Sequence, residues 1–369
     1  MRLLLLTIDF PPARGGVQGL LARLAAGLAP AWQVTVITPA AAGAGAWDRG
    51  RPYRILRSRP TGGRLAVLGL QARALVETLR RRPHIIVCGH VLLGPVCRLA
   101  SAILGVPYVA MAYAYEVRAP RMRWIARLAL QGARRVVVPS EFGRRAVEAH
   151  GVVPARIVVA RPGAALDANG TPENGVAGDD APVLLSVGRL VDAYKGHDMV
   201  IRAMPLILAR VPTACYVVVG DGPRRAYLER LATSLAVGDV VRFVGETPDD
   251  EVAAWYRRCD VFVLAAREDT AGGGAEGYGI VLVEAGLRGK PVVGGRAGGV
   301  VDAVVDGETG LLVDPLDPGD IADAVTRLLS ERDVAARLGQ AGRRRAVEEL
   351  TWPHYTEQVA RVLAEAVEE

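Results

Sequence analysis

Between Val261 and Val293 the chain spells out one structural unit that leaves little freedom of fold. The apolar run Val261 to Leu264 reads as a strand, and a glycine-rich loop with Gly272, Gly273, Gly274, Gly277 and Gly279 follows it. Ile280 to Leu287 carries apolar residues at helical spacing, and Lys290-Pro291 stops the helix before a second strand, Pro291 to Val293. A strand, loop, helix and strand in that order predict a parallel sheet with helices on its faces. Two carboxylates frame the turn: Glu276 in the loop and Glu284 eight positions on, inside the helix.

The chemistry of such a turn follows from its parts. A helix N-terminus presents unpaired N–H groups and a partial positive charge, so it attracts phosphate. Glycines before it let the backbone approach a ligand closely. A carboxylate within the helix can accept hydrogen bonds from a ribose diol, and one in the loop can meet sugar hydroxyls or a developing positive charge. These parts suit a nucleotide sugar. A flexible loop with two solvated glutamates is the alternative.

The same alternation runs through the whole chain. Strands are expected at Arg2 to Ile8, Gln33 to Ile37, Tyr53 to Leu56, His84 to Val87, Tyr108 to Met111, Arg135 to Val138 and Ile157 to Ala160, with helices between them. A segment rich in Gly, Ala, Asp and Asn, Pro162 to Pro182, then marks a boundary. A second series follows, with strands at Val183 to Val187, Cys215 to Val219, Val240 to Val244, Val261 to Leu264, Pro291 to Val293 and Gly310 to Val313. A chain of 369 residues exceeds one ordinary core. The expected fold is α/β, with two Rossmann-like doubly wound domains, 1–165 and 166–350, facing each other across a cleft. A C-terminal helix, 351–369, is free to cross back to the first domain.

Charge and composition narrow the function. Residues 1–165 hold 24 arginines against six acidic side chains, while the whole chain is only +6. The first half is therefore expected to face something anionic, a membrane surface or a phosphorylated substrate. The alternative is a set of solvated arginine faces. Arg118 to Arg135 holds six arginines and no acid, with Met122, Trp124, Ile125, Leu128 and Leu130 between them. It fits a basic interfacial helix or an ordinary helix packed on the sheet. No nucleic-acid-binding signature is present, so nucleic acid is not expected as a partner. Leu3 to Ile8 is too short for a signal peptide, and no run approaches the ~20 apolar residues of a membrane span. Cys88, Cys97, Cys215 and Cys259 match no metal spacing and read as reduced core residues of a cytoplasmic protein.

Only two of the 45 basic residues are lysines. Lys195 follows Gly188-Arg189 in a loop that opens a helix, and this loop brings two cations to one place. Such cations can stabilise a departing diphosphate without a metal. Lys290, at a helix end, reads as a surface lysine offsetting that helix's dipole. Among the five histidines, His197 beside Lys195-Gly196 can line the cleft; His84, His90, His150 and His354 default to structural roles.

The motifs DFPPARGG, GRLVDAYKG, VVVGDGP, EGYGIVLVEA, KPVVGGRAGG and DGETGLLVDP, in this order, resemble those of family 4 glycosyltransferases of the GT-B fold. Within that family the chain is most similar to bacterial phosphatidylinositol-mannoside α-mannosyltransferases. The resemblance implies a retaining transferase that moves a hexose, mannose first, from GDP-mannose or another nucleotide sugar to a hydroxyl, with no metal. It implies that Gly16 gives an N–H to the distal phosphate and that Arg189 and Lys195 hold the diphosphate, with Gly188 among the donor-binding residues. Glu276 would meet the transferred sugar, Gly279, Ile280 and Val281 would give backbone N–H groups, Glu284 would take the ribose, and Gly222 and Val244 would lie near the base. Arg189, Lys195 and Glu276 are the expected catalytic residues. The family commonly has T-H-G-x-E near the acceptor; here the stretch is AYAYE, with Tyr113 at the His position and Tyr115 and Glu116 as further acceptor contacts. A tyrosine of ordinary pKa near ~10 is a poor base. The acceptor, a lipid at the inner membrane face or a soluble molecule such as a sugar phosphate or glycerate, stays open. So does a nucleotide-sugar-binding protein without turnover. A dehydrogenase is disfavoured, because no acid follows Gly16 at the dinucleotide spacing.

Overall fold

Four successive leucines after Arg2 can be buried on both faces only in the middle of a parallel sheet, and they are. In the computed structural model, which describes residues 1–58, 63–113, 115–165, 181–269 and 272–369, this strand is β1, Arg2–Leu6. It is followed by α1 Gly16–Leu28, β2 Gln33–Pro39, α2 Ala44–Asp48, β3 Arg54–Ser58 and α3 Gly63–Arg81. Then come β4 Ile85–Cys88, α4 Gly94–Leu104, β5 Tyr108–Met111, α5 Tyr115–Arg118 and α6 Arg123–Gln131. The series closes with β6 Arg135–Val138, α7 Glu141–Glu148 and β7 Ile157–Val159. The strands form one parallel sheet in the order β3-β2-β1-β4-β5-β6-β7. Strand order reverses between β1 and β4, so their C-terminal ends flank the switch point at which such sheets bind ligands.

The second series is β8 Val183–Val187, α8 His197–Leu208, β9 Cys215–Val219, α9 Arg225–Ser234, β10 Val241–Gly245 and α10 Asp249–Arg258. It continues through β11 Val261–Leu264, α11 Ile280–Leu287, β12 Val292–Gly295, α12 Val300–Ala303, β13 Leu311–Val313, α13 Pro318–Ser330 and α14 Arg332–Glu349. Its sheet is parallel in the order β10-β9-β8-β11-β12-β13. Residues 163–351 make up this unit; residues 1–162 and 352–369 make up the other. Most of the segment expected to be a boundary, 166–180, lies outside the described residues.

Some expected bounds shift for local reasons. The strand expected to begin at Pro291 begins at Val292, because proline has no N–H for the ladder. The helix after β12 is short, α12 alone, since Gly298 just before it takes a left-handed φ of 59°. The basic stretch from Arg118 is broken: α5 ends at Arg118, a 3₁₀ turn spans Pro120–Met122, and α6 starts at Arg123. Of the four cysteines, Cys88, Cys97 and Cys259 are buried, but Cys215 is only partly buried at the start of β9.

The last helix, α15 Trp352–Glu368, packs on α1 and on the first sheet through buried Tyr355, Val359, Leu363 and Ala366. Arg134 donates to the Ala366 carbonyl at 2.7 Å, and Arg135 pairs with Glu369. The first unit is therefore closed by residues that follow the whole of the second in sequence. Leu363 is fully buried, so Leu363→Ala should lower the stability of this unit by about 2–5 kcal/mol in urea denaturation.

Candidate functional site

The turn from β8 into α8 is shaped by backbone contacts too close for side chains. Gly188 donates to the Val219 carbonyl at 2.9 Å, and Leu190 donates to the Asp221 carbonyl at 2.9 Å, which binds the turn after β8 to the turn after β9. A Cβ on Gly220 would stand 2.1 Å from the Gly188 oxygen, and one on Gly222 2.5 Å from the Leu190 oxygen. Gly222, expected beside a base, thus has a structural requirement of its own. Val244 lies half-buried on β10, the neighbouring strand.

Gly196, at φ 77°, begins α8, and a Cβ there would fall 1.8 Å from the Ala265 oxygen. The start of α8 therefore lies directly against the end of β11. Arg267 locks the contact. It donates both guanidinium arms to Asp198 at 3.0 and 2.9 Å, and its N–H donates to the Tyr194 carbonyl at 2.8 Å. A two-armed, mostly buried pair of this kind fixes geometry as well as charge.

Within this frame Lys195 meets Glu276 in a direct ion pair, with the side chains 19% and 14% exposed. Burial alone would raise the Glu276 pKa. The charge and hydrogen bond of Lys195, with the N–H groups of Tyr278 and Gly279, outweigh it and hold the carboxyl below its ordinary value. The loop is backed by Gly299, which donates to the Glu276 carbonyl at 2.8 Å, while Gly298 at φ 59° would place a Cβ 2.6 Å from that oxygen. Arg189 is exposed and makes no ion pair among the described residues. Gly279, in the left-handed region at φ 93°, starts α11 without a side-chain cap, and Ile280 and Val281 form the helix's first turn. Glu284, one turn further, accepts from the Tyr256 hydroxyl at 2.9 Å. Tyr256 is itself stacked on Phe262 with ring centres 5.5 Å apart.

The structure thus brings Gly188, Arg189, Lys195, Gly222, Glu276, Gly279, Ile280, Val281 and Glu284 onto turns of one sheet edge. Arg267, Asp198, Tyr256, Gly298 and Gly299 support them; the two glycines end the motif KPVVGGRAGG, while nothing in the sequence singles out the other three. The only signal for the first pair is two opposite charges far apart in the chain. Lys290 donates to the Arg257 carbonyl at 2.6 Å, so it caps α10 rather than the helix it follows. His197 does not line a site. Tyr216 donates to Ser186 and therefore accepts from His197 Nδ1 at 3.2 Å, and burial with the Lys195 charge lowers the His197 pKa to about 4. His84 accepts from the Arg2 N–H, His90 caps a 3₁₀ turn and His150 donates to the Val117 carbonyl.

In the first unit Gly16 opens α1, again without a side-chain cap. The Tyr113 N–H donates to the Glu116 carboxylate at 2.6 Å, so Glu116 is used on the backbone. The Tyr113 hydroxyl is buried and has no hydrogen-bond partner among the described residues. Burial first, then the nearby Tyr355, Glu116 and Asp9, raises its pKa well above the ordinary value. Tyr115 is exposed, and its hydroxyl accepts from Arg121 at 2.6 Å. Ala114 lies outside the described residues.

Two parallel-sheet units with glycine-opened helices at their strand ends define the GT-B fold. Anabaena HepE, solved with UDP and glucose, has this architecture: it aligns over 99% of this chain and 100% of its own at a TM-score of 0.80 and 21% identity. Residues 15–163 match the glycosyl transferase 4-like domain, and residues 171–345 match the glycosyl transferases group 1. The GDP-mannose-dependent alpha-(1-6)-phosphatidylinositol monomannoside mannosyltransferase of Mycolicibacterium smegmatis is 34% identical, over 98% of both chains. A D-inositol 3-phosphate glycosyltransferase of Catenulispora acidiphila is 36% identical over 53% of this chain and 47% of its own. The chain belongs to the GT-B glycosyltransferase family that these enzymes represent. It is therefore an enzyme, and the reading as a binding protein without turnover is set aside.

The depressed Glu276 pKa has a thermodynamic consequence. Its contribution to stability is present above the ordinary glutamate value of 4.5 and is lost as pH falls through the lower folded value. Glu276→Gln should therefore be less stable than the parent at pH 7. The two thermal-melting curves should converge under acid, below the ordinary value.

Proposed function

We propose that the enzyme is a retaining hexosyltransferase that uses a nucleoside diphosphate sugar, GDP-mannose first, and a hydroxyl acceptor. The Lys195–Glu276 pair at the uncapped start of α11 carries this reading. It fixes a carboxylate and an ammonium side by side, one suited to a sugar and the other to a diphosphate. The choice of mannose rests on the whole-length similarity to a GDP-mannose-dependent enzyme.

In this mechanism the sugar C1–oxygen bond to phosphate breaks as the acceptor oxygen approaches the same face, and positive charge grows on the ring near Glu276. The leaving diphosphate gains charge, which Lys195, Arg189 and the N–H groups of Ile280 and Val281 neutralise; the Gly279 N–H, expected to join them, is held on the Glu276 carboxylate. Glu284 takes the ribose hydroxyls, and Gly16 gives its N–H to the distal phosphate. No metal is assigned. Tyr113 keeps its proton, given its raised pKa, so the acceptor's proton passes to the departing phosphate oxygen. Tyr113, Tyr115 and Glu116 remain acceptor-side groups, with Tyr113 acting as a donor.

We assign the acceptor to a lipid at an anionic surface. The outward residues Leu99 and Ile103 of α4 and Trp124 of α6 are exposed, with Arg121, Arg123 and Arg127 beside Trp124 in sequence. These two helices pack together. No helix among the described residues is long and apolar enough to span a membrane, so attachment would be peripheral. A soluble acceptor is the second reading, favoured by the similarity to D-inositol 3-phosphate glycosyltransferases.

Thermal shift against GDP-, UDP- and ADP-sugars should single out the GDP form. Arg189→Ala should weaken GDP binding by about ten-fold or more in calorimetry, a loss of about 1.4 kcal/mol. Glu276→Ala should abolish transfer while GDP still binds; full activity in that variant would end its assigned role. Pelleting with anionic vesicles should fall as salt rises, and Trp124→Ala should weaken it; no pelleting at low salt would favour the soluble acceptor.

A further inference from the structure

The edge of the first sheet opposite its ligand loops holds a pocket of about 800 Å³. Its walls come from the starts of β1, β2 and β3, the end of α3 and the turn after α1. Because the strands are parallel, this edge is the far end of the sheet from Gly16 and Tyr113. Five arginines line it: Arg2, Arg51, Arg54, Arg80 and Arg81. No acidic side chain is among its lining residues. Glu77 neutralises Arg81 at 2.7 Å, which leaves four cationic groups around one concavity.

Several of these cations are held in place. Arg2 donates to the Arg82 carbonyl at 3.2 and 3.0 Å. Arg51 donates to the Trp47 carbonyl at 3.0 Å and stacks 3.9 Å over that residue's ring. Arg54 and Arg80 are exposed and make no ion pair among the described residues. Complementing the α3 dipole explains Arg80 and Arg81, which sit in its last turn. It does not explain Arg51 and Arg54, which come from the β3 side. Buried Trp32 and Tyr53 add an aromatic wall. Like charges collected in a concave site, without carboxylates, raise the local concentration of anions, and guanidinium forks match phosphate oxygens.

The geometry points to a second anion site here, separate from the donor site, that takes a phosphate ester with an apolar or planar body. The phosphate can belong to a soluble ester or to a phospholipid headgroup. The assignment stands apart from the proposed donor and acceptor.

Calorimetry with inorganic pyrophosphate tests it on the full chain. The parent should bind two pyrophosphates; Arg54→Ala/Arg80→Ala should lose one, with affinity at that site down ten-fold or more, and Arg189→Ala should keep it. Both substituted residues are exposed, so the double variant should keep the parent's melting temperature without anion, and a variant with Arg54→Lys/Arg80→Lys should recover part of the binding. Pelleting with phosphatidylglycerol vesicles identifies the source. If pyrophosphate displaces the parent from vesicles and the double variant pellets less, the ligand is a headgroup; if pelleting is unchanged, it is a soluble ester. The proposal fails if the double variant still binds two pyrophosphates, or if the parent binds none beyond the one that Arg189→Ala removes.

Discussion

Glu276 and Lys195 lie 81 positions apart, and everything at the second unit's ligand edge depends on their meeting. Two opposite charges that are mostly out of water gain from each other only if neither has to move to find its partner. The chain meets this condition with backbone rather than side chains. Gly196 lets α8 start against Ala265, Gly298 and Gly299 let the loop before α12 press on the Glu276 loop, and the Arg267–Asp198 fork holds the two strand exits together. With those contacts made, a lysine next to Gly196 and a glutamate three residues before Gly279 have little choice but to pair.

The glycines of the recognisable motifs therefore divide by role. Gly279 leaves the first turn of α11 open, and its left-handed backbone directs the N–H groups that hold the Glu276 carboxylate. Gly220, Gly222, Gly298 and Gly299 are required by neighbouring backbone at 2.0 to 2.6 Å from where a Cβ would stand. A motif read as a ligand cradle is thus also a set of joints between turns. Replacing a joint would displace charges on a different loop, so distance from the ligand is a poor guide to its effect on the reaction.

Much of this is legible in the sequence because it is local. β8, β9, β11 and α11 have the bounds their apolar runs predict, since a strand buried on both faces must be continuously apolar. Glu276, Lys195 and the glycines near them are visible as an unusual density of chemistry in short loops. What stays hidden is the pairing of distant residues. Nothing in the local pattern ties Arg267 to Asp198 or Tyr256 to Glu284. The same holds for Lys290, which serves α10 through a carbonyl 33 positions away. His197 shows the opposite error of proximity. It adjoins Lys195 in sequence, yet the helix turns it inward to Tyr216, where burial keeps it neutral.

Tyr113 joins the two halves of the chemical argument. A histidine at a strand end could accept a proton near neutral pH, whereas a buried phenol among negative neighbours holds its own more tightly. If transfer proceeds as proposed, the base that the reaction itself generates is the phosphate oxygen released from the sugar. That oxygen is basic in proportion to how incompletely its charge is neutralised. Arg189 and Lys195 must then stabilise the leaving group enough to let the bond break, but not so fully that it ceases to accept the proton. The Glu276 partner of Lys195 would supply such moderation, because an ammonium already shared with a carboxylate gives a phosphate less than its full charge. In that mechanism the ion pair brought together by these loops would also set the balance between departure of the diphosphate and activation of the incoming hydroxyl.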